Sequence, residues 1–523
     1  MATAGELEVA EWQVSGPALL STEDISAGSG YLGIDYTDNC DSRWWPDLML
    51  GPAINVVSLA AAAGTAATTN GVALSSTMNA TLYAYFIRGT KWAKVQVSNM
   101  TLISDGTETA LAEAATSIVY SRNVGGTPTQ TIAIGMDNTT YRVITTVSAL
   151  ATDTHSANNE SVINRIMGNG TPAAQAPRMI GLGRSGAANT GQDTVRGNSL
   201  TSTVDMDASA WATIDQIGPE GLTFTGLCVD TDRVIVGTSR GPFYVDPNFN
   251  HFRPAMDGLG DSVNNCHAMT DIPWLGTVIP LEKGARLQKN LQSEGGIGPE
   301  RFRNNSSPVQ GRLTGIAFNQ AWAYFNVYNP VTLETYLCAV QPRQPGDWHT
   351  QRLSYYPIAT FTNTESKVLM DIGTAGGVRT SHTLIGGHAT NMFWMTIGST
   401  WREPDDSNYA YATSGTAYLT ELARAPEWDK DIEYVEVETS GCTSARTVTV
   451  SLSIDGGTAR ALPVINSNGF HRIPVNPGFY KGYRVKPQIA FASDASTASP
   501  AVRRFRLHYR LRDREVNHAV RRR

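Results

Sequence analysis

Residues 234–246 read VIVGTSRGPFYVD, in which two short apolar runs flank a glycine and a polar turn. The runs are residues 234–236 and 243–245, and both consist of β-branched or aromatic residues. Such runs on either side of a turn are typical of two adjacent antiparallel strands. Nothing in the stretch has the residue types or the spacing of a catalytic motif. Residues 234–246 determine the fold if they are one copy of a repeat.

The same layout occurs at residues 132–143 (IAIGMDNTTYRV) and 384–395 (LIGGHATNMFWM). In each copy a glycine is followed six positions later by an aromatic residue and eight positions later by an apolar one. Positions six and eight share one face, because strand side chains alternate. The three sets are Gly135, Tyr141 and Val143; Gly237, Phe243 and Val245; and Gly387, Phe393 and Met395.

Weaker copies fill the intervals, and their markers are Gly89, Gly183, Gly276 and Asn326. The seven markers are then 46, 48, 54, 39, 50 and 61 residues apart. A period of roughly 40–50 residues is typical of a four-stranded propeller blade. We therefore predict an all-β protein with a β-propeller of about seven blades over residues 51–415. VIVGTSRGPFYVD becomes the inner hairpin of about the fourth blade. A β-sandwich or a set of unrelated hairpins is the alternative.

Beyond residue 415 the predicted strands are longer and alternate more strictly. In residues 502–512 (VRRFRLHYRLR), aromatic and aliphatic residues alternate with basic ones. Asp455-Gly456-Gly457, between two strand-like runs, is a hairpin-turn signal. These features predict an antiparallel β-sandwich over residues 416–512, followed by a basic tail over residues 513–523.

The first 50 residues do not fit the repeat, so we predict an N-terminal arm over residues 1–50. It would pack on the propeller or on a neighbouring subunit. Trp44 and Trp45, followed by Pro46, are too apolar to be left in water. They are predicted partner-contact residues, and a sugar platform is the other interpretation.

The charge of the chain is uneven. The formal net charge is −6, but residues 503–523 carry nine arginines against two acidic residues, which leaves −13 for the rest. Such asymmetry indicates a contact made by this end or a solvated tail. The predicted contact residues are Arg504, Arg506, Arg510, Arg512, Arg521, Arg522 and Arg523. Nucleic acid is not the expected partner, because these arginines alternate along one strand and are not interleaved with exposed aromatic residues.

No catalytic, cofactor or metal motif stands out. The five cysteines are far apart and form no C-x-x-C pair, and the nine histidines have no metal-binding spacing. Glycoside hydrolysis needs two carboxylates on opposite sides of the bond that is cleaved. Sequence alone cannot bring together any pair from the candidates Asp230, Asp232, Glu282, Glu334, Asp371 and Asp405. We predict that the protein is not an enzyme and has no cofactor or bound metal.

The N-terminus lacks a basic start and an apolar core, so no secretory signal is expected. No apolar stretch reaches about 18 residues, so no membrane span is expected. The chain would be made in the host cytoplasm.

Residues 448–464 (VTVSLSIDGGTARALPV) and 499–512 (SPAVRRFRLHYRLR) carry a resemblance to a known family. They resemble the C-terminal sandwich found behind β-propellers in tailed-bacteriophage tail proteins, including minor tail or baseplate components and nozzle-type proteins of short-tailed phages. The resemblance is one of pattern and layout, so no functional residue is carried over. It implies a structural protein of the virion tail that contacts other tail proteins and forms a symmetric homo-oligomeric ring.

Two further hypotheses stay open. One is a glycan-binding or glycan-cleaving propeller used for host attachment, with a host surface glycan as partner. The other is a cellular propeller scaffold for protein binding.

Overall fold

A computed structural model of the protein describes most of both ends of the chain and, in the middle, the strands with parts of their connections. The described residues are 7–18, 32–59, 67–74, 81–104, 115–122, 130–136, 141–144, 152–155, 160–166, 178–183, 194–199, 213–216, 224–230, 233–238, 241–245, 251–252, 269–281, 284–289, 292–296, 308–342, 353–397, 409–422, 428–476 and 480–512. Within these ranges the regular elements are strands, apart from one 3-10 turn at Ala375–Gly377.

Five strands precede the first blade. They are β1 (Leu7–Trp12), β2 (Ile34–Asp38), β3 (Cys40–Asp41), β4 (Leu48–Leu50) and β5 (Asn55–Val57).

Seven antiparallel sheets then follow one another along the chain, and in each sheet the strands are paired in chain order. The strands are β6 (Gly71–Leu74), β7 (Tyr83–Arg88), β8 (Lys91–Gln96) and β9 (Thr101–Ser104) in the first blade; β10 (Ala115–Arg122), β11 (Gln130–Met136), β12 (Tyr141–Ile144) and β13 (Thr152–His155) in the second; β14 (Glu160–Ile166), β15 (Arg178–Gly183), β16 (Thr194–Ser199) and β17 (Thr213–Gln216) in the third; β18 (Phe224–Asp230), β19 (Arg233–Thr238), β20 (Phe243–Val245) and β21 (His251–Phe252) in the fourth; β22 (Thr270–Ile272), β23 (Gly276–Pro280), β24 (Ala285–Lys289) and β25 (Gln292–Gly296) in the fifth; β26 (Arg312–Phe318), β27 (Ala323–Asn329), β28 (Glu334–Pro342) and β29 (Leu353–Phe361) in the sixth; and β30 (Leu369–Gly373), β31 (Thr383–His388) and β32 (Asn391–Thr396) in the seventh.

The ring is closed by a strand from the other end of the propeller. β5 pairs with β32 and supplies the fourth strand of blade seven. Blade seven also contacts blade one directly: Thr69 N–H donates to Ala389 O at 2.7 Å, and Arg88 Nη1 donates to Thr390 O at 2.9 Å. Apolar residues of both blades share one buried cluster. The prediction of an all-β propeller of about seven blades is confirmed, and the described strands form seven blades.

The repeat markers lie in, or directly after, the second strand of each blade. Six of the seven lie in the second strand of their blade, and Gly89 directly follows β7. At Gly387 a Cβ atom would lie 2.6 Å from Lys367 O and 2.7 Å from Thr69 O, so there is no room for a larger residue. These two carbonyls belong to segments that lead into β30 of the same blade and β6 of blade one. Gly387 therefore lies where blade seven meets blade one.

The stretch at residues 234–246 supplies β19 and β20, the second and third strands of blade four. It is thus the middle hairpin of its blade and not the inner one, because β18 is the innermost strand: β18 contacts β14 and β22, the first strands of the neighbouring blades. The turn is held by Thr238 Oγ1, which donates to Gly241 O at 2.6 Å. Gly241 has a φ of 107°, which a residue with a Cβ rarely adopts.

The last eight strands build the sandwich. They are β33 (Ser414–Leu419), β34 (Asp429–Ser440), β35 (Thr447–Ile454), β36 (Arg460–Ala461), β37 (Gly469–Pro474), β38 (Lys481–Gly482), β39 (Val485–Ala492) and β40 (Ala501–Arg512). One sheet, which we name the β40 sheet, contains β34, β37, β38 and β40, and the other has the order β2-β33-β39-β35-β36. The predicted Asp455-Gly456-Gly457 turn is present: Asp455 and Gly456 have φ values of 50° and 75°.

The N-terminal segment is part of this sandwich, which differs from the predicted separate arm. β1, β3 and β4 join the β40 sheet, and β2 joins the second sheet. Ala10 and Trp12 turn inward, and the Trp12 ring meets Phe505 edge to face at 5.2 Å. The sandwich strands therefore come from both ends of the chain, from 7–50 and from 414–512, and the propeller is inserted between them.

The chain leaves the sandwich and returns to it through two segments in contact, 51–53 and 410–412, which we name the neck. Ala53 N–H donates to Ala410 O and Ala412 N–H donates to Gly51 O, each at 2.8 Å. Paired backbone at this point fixes the direction in which the propeller leaves the sandwich.

The N-terminal segment also covers the outer edge of blade six, and we name this contact the joint. Ala18 N–H donates to Tyr355 O at 2.9 Å, and Thr360 N–H donates to Asn39 Oδ1 at 3.0 Å. Thr37 Oγ1 donates to Pro357 O at 2.5 Å. Unpaired strand edges invite uncontrolled pairing, and here β29 is protected by the chain itself.

Gly51 tests the neck and the joint together. A Cβ atom at Gly51 would lie 2.1 Å from Ile358 O, a backbone atom of β29 that cannot move alone. Gly51→Ala is expected to lower the free energy of unfolding by about 3 kcal/mol, as overpacking against fixed backbone does. The measurement is thermal and urea unfolding. Gly457→Ala, in an exposed turn with its nearest atom at 3.1 Å, is the matched control. Equal effects of the two variants would contradict the tight contact.

Candidate functional site

Trp44 and Trp45 are adjacent in sequence but lie in opposite environments. Trp44 is 2% exposed and Trp45 is 75% exposed, in the turn between β3 and β4. Trp44 is therefore an internal residue, which does not fit its predicted role as a surface contact. Trp45 is available to a partner.

Trp44 packs in a buried cluster at the joint. Asp41 and Arg43 form an ion pair of 2.7 Å between Oδ2 and Nη2, and neither side chain is exposed. The Arg43 guanidinium lies over Trp44, 4.6 Å from the ring centroid, and over Trp322 of blade six at 5.1 Å. A desolvated cation over aromatic faces is attracted by both rings. Arg43 thereby binds the N-terminal segment to the propeller.

The residues around Arg43 keep its guanidinium charged. Burial lowers the pKa of Arg43, but the charge and hydrogen bond of Asp41 together with Tyr324 and Tyr409 raise it by more, so the pKa is raised overall. Tyr324 and Tyr409 lie beside the pair, and burial raises the pKa of Tyr324 to about 12 while Arg43 opposes that rise. The cluster therefore contains a charged pair and neutral tyrosines.

The predicted arginines of β40 lie on the outer face of the β40 sheet, by which we mean the side turned away from the buried core. Each is paired with an acidic residue of the same chain. Arg504 and Arg506 lie 3.3 Å and 3.0 Å from Glu11 of β1, and Arg510 pairs with Glu433. The remaining predicted residues are Arg512, which lies 2.5 Å from Asp431, and Arg521, Arg522 and Arg523, which lie outside the described residues.

Aromatic residues occupy the middle of the same face. The Tyr434 and His508 rings are stacked, 4.1 Å apart at an angle of 18°, and Arg472 lies 3.6 Å from the Tyr434 centroid. His508 Nε2 is 3.1 Å from Glu436 Oε2. Opposite charges are interspersed over the face, so it presents no basic stripe of the kind that binds phosphates.

A group of carboxylates and tyrosines lies at the joint, and Glu334 is the one member that the sequence indicated. Tyr36 and Tyr418 are stacked, with centroids 4.2 Å apart, and Tyr336 donates a hydrogen bond to Glu334. Burial raises the pKa of Asp38; a hydrogen bond to Thr360 opposes the rise and Glu334 adds to it.

No local signal could have paired Asp38 with Glu334, because they lie on β2 and β28. Of the other candidate carboxylates, Asp371 lies on β30, where burial raises its pKa and Gly373 N–H donates to Oδ1 at 2.6 Å. Asp230 ends β18, and Asp232, Glu282 and Asp405 lie outside the described residues.

Across the described ranges, no group of three or more His, Cys, Asp or Glu residues has a geometry that could hold a metal ion. Over the same residues, no helix has the length and apolar character to cross a membrane.

The fold defines a class: a seven-bladed β-propeller inserted into a β-sandwich. No protein-family model and no curated protein matches the chain. The structure is similar to that of BBS1N in complex with ARL6DN, with a TM-score of 0.42 and 8% identity over 68% of this chain and 98% of that one. It is also similar to an exo-beta-1,3-galactanase from Phanerochaete chrysosporium with galactose, with a TM-score of 0.29 and 9% identity over 87% of this chain and 100% of that one. At these values neither similarity bears on function.

The buried ion pair at the joint can be tested by a double substitution. Arg43→Met leaves Asp41 charged and unpaired, and should lower the free energy of unfolding by about 3–5 kcal/mol. Asp41→Asn together with Arg43→Met should cost clearly less, because no buried charge is stranded. Arg484→Met, which breaks an exposed pair with Glu421 of 3.4 Å, is the control and should change little. A double variant as unstable as Arg43→Met alone would contradict the explanation.

Asp38 should make stability depend on pH. Its pKa is raised above the ordinary value of 3.8, so the folded state holds this proton more tightly than the unfolded state. The free energy of unfolding therefore falls as pH rises from 3.8 through the raised folded-state value. Asp38→Asn removes this loss: it should match the wild type below that window and be more stable above it. Urea unfolding across pH, with the exposed Asp494→Asn as control, measures this. A constant difference at every pH would contradict it.

Proposed function

We propose that the chain is a structural component of a bacteriophage tail, in the tail tip, baseplate or nozzle, and that it acts through subunit assembly. The observation that carries this proposal is the way in which the propeller is built into the sandwich. Both halves of the sandwich, from opposite ends of the chain, enclose the start and the end of the propeller.

This construction suits a part that transmits load. Two backbone segments cross the neck and are bonded to one another. The edge strand of blade six is bonded along its length to the N-terminal segment, and the Asp41–Arg43 pair fills the space between them. Movement of the propeller against the sandwich would break all of these contacts at once. A particle component under mechanical stress benefits from such coupling.

The surface also supports assembly. Trp45 is exposed beside the arginine-bearing outer face, and aromatic residues with arginine are enriched where proteins bind each other. In this proposal the partners are other tail proteins and further copies of the chain in a symmetric ring, and the location is the virion tail.

Mass spectrometry of purified virions tests the proposal. The chain should be present in a fixed ratio to the tail-tube protein of the same particles, through gradient purification and a high-salt wash. An abundant host cytosolic protein serves as the control for contamination. A chain that falls away with that host protein during purification would overturn the proposal. If such a chain also bound or cleaved host glycans on an array, the host-attachment hypothesis would replace it.

A further inference from the structure

The outer face of the β40 sheet carries charges in columns that follow the strands. The strand order is β1, β40, β34 and β37, since β1 and β34 pair with opposite sides of β40. From one side to the other the charges are acidic, basic, acidic and basic; the outer columns on β1 and β37 each hold a single charged residue, and Leu7 and Val9 on β1 are exposed apolar residues. The charged members of the columns are Glu11 on β1; Arg504, Arg506, Arg510 and Arg512 on β40; Glu433, Glu436 and Glu438 on β34; and Arg472 on β37.

The strand register aligns these columns in rows. Glu11 is opposite Arg506, Arg506 is opposite Glu436, and Glu436 is opposite Arg472. This row therefore has alternating charges across all four strands.

The next row is mainly apolar and aromatic. It runs from Val9 through His508 and Tyr434 to Pro474. Val9 is 49% exposed at one side of the face. Pro474 lies at the other side.

A third row ends in an exposed aromatic residue on the β37 side. Arg504 is opposite Glu438, and Glu438 is opposite Phe470, which is 56% exposed. On the β1 side, the turn that carries Trp45 is tied to the sheet by Asp47 Oδ1, which accepts from Arg503 Nε at 2.8 Å. An exposed aromatic residue therefore lies on each side of this end of the sheet, Phe470 within the row and Trp45 in the adjoining turn.

An even number of alternating columns makes the face complementary to a copy of itself. A two-fold axis parallel to the strands, between β40 and β34, places β1 opposite β37 and β40 opposite β34 of the second copy. Every acidic column then faces a basic one. An axis across the strands would place each column on its own copy and bring like charges together. The charge pattern therefore selects one of the two arrangements.

The same axis also matches the apolar residues. Rows keep their level along the strands, so Val9 comes opposite Pro474 of the second copy. The Trp45 turn comes opposite Phe470 of the second copy. Arginine has five N–H donors and a carboxylate about four acceptor sites, so the pairs within one chain leave bonding capacity for the second copy.

We propose that the outer face of the β40 sheet is the interface of a two-fold dimer of this chain, with the axis parallel to β40. The columns of charge set the register, and Trp45 with Phe470 anchors the contact. This inference depends only on the face and would stand if the tail role failed. An interface of this kind weakens with salt, since exposed charges are screened within roughly 3 Å at 1 M.

Charge reversal with mixing tests the symmetry. In Glu11→Arg the new arginine faces Arg472 of an identical copy, and in Arg472→Glu the new glutamate faces Glu11. Each variant alone should dimerise about tenfold more weakly than the wild type in sedimentation velocity. In a 1:1 mixture both contacts become attractive, so a mixed dimer should form with nearly wild-type affinity. A wild-type monomer, or a mixture no tighter than its components, would overturn the proposal.

Substitution of the two anchor residues, Trp45 and Phe470, provides a second test that does not change any charge. Trp45→Ala and Phe470→Ala should each weaken the dimer about tenfold or more, as central aromatic contacts do. Val331→Ala is the matched control, because Val331 is 86% exposed but lies between β27 and β28 of the propeller. Circular dichroism and thermal unfolding confirm that each variant is folded. A dimer that tolerates both anchor substitutions, or one that loses affinity equally in the control, would contradict this interface.

Discussion

At the neck, two backbone segments from opposite ends of the propeller hold each other: Ala53 N–H donates to Ala410 O, and Ala412 N–H donates to Gly51 O. The chain leaves the sandwich and returns to it at one place, so the two ends of the inserted propeller are held together there. The closure strand β5 follows the neck directly, so the ring and the sandwich share one anchoring point. Gly51 lies against β29 with no space for a side chain, which places blade six at the sandwich and fixes the remaining blades around it.

The joint buries an ion pair, Asp41 and Arg43, and not apolar side chains alone. A buried ion pair often costs as much in desolvation as it returns in attraction, so Asp41 and Arg43 are better understood as a source of specificity than of stability. In the observed placement of blade six, Trp322 covers the guanidinium, Pro357 O of β29 accepts from Thr37, and Thr360 N–H of β29 donates to Asn39. A slipped arrangement would strand a buried charge. The ion pair therefore selects the docking geometry.

On the outer face of the β40 sheet, the arginines of β40 form ion pairs within the chain. The charges nevertheless alternate in sign from strand to strand. Pairing within the chain keeps the arginines of β40 from acting as a general anion-binding surface. The alternation across β1, β40, β34 and β37 remains visible to any approaching surface. A face of this kind distinguishes partners by register more than by affinity, which is the property that an assembling protein requires. We propose that the partner this pattern fits is a second copy of the chain.

Local sequence determined the repeating parts of this protein. The glycine markers, the Asp455-Gly456-Gly457 turn and the alternation along β40 each depend on a few neighbouring residues, and so they predicted seven blades and a sandwich. The strands of the N-terminal segment could not be assigned in this way, because Leu7 pairs with Arg510 and no local pattern records a partner at the far end of the chain. The same reason separates Trp44 from Trp45: two identical residues in sequence differ only in what the fold brings next to them. Sequence by itself determined which segments are strands and how they turn. Tertiary structure decided which strands share a sheet, which tryptophan is buried and which acids meet which arginines, because those contacts join residues that are distant in the chain.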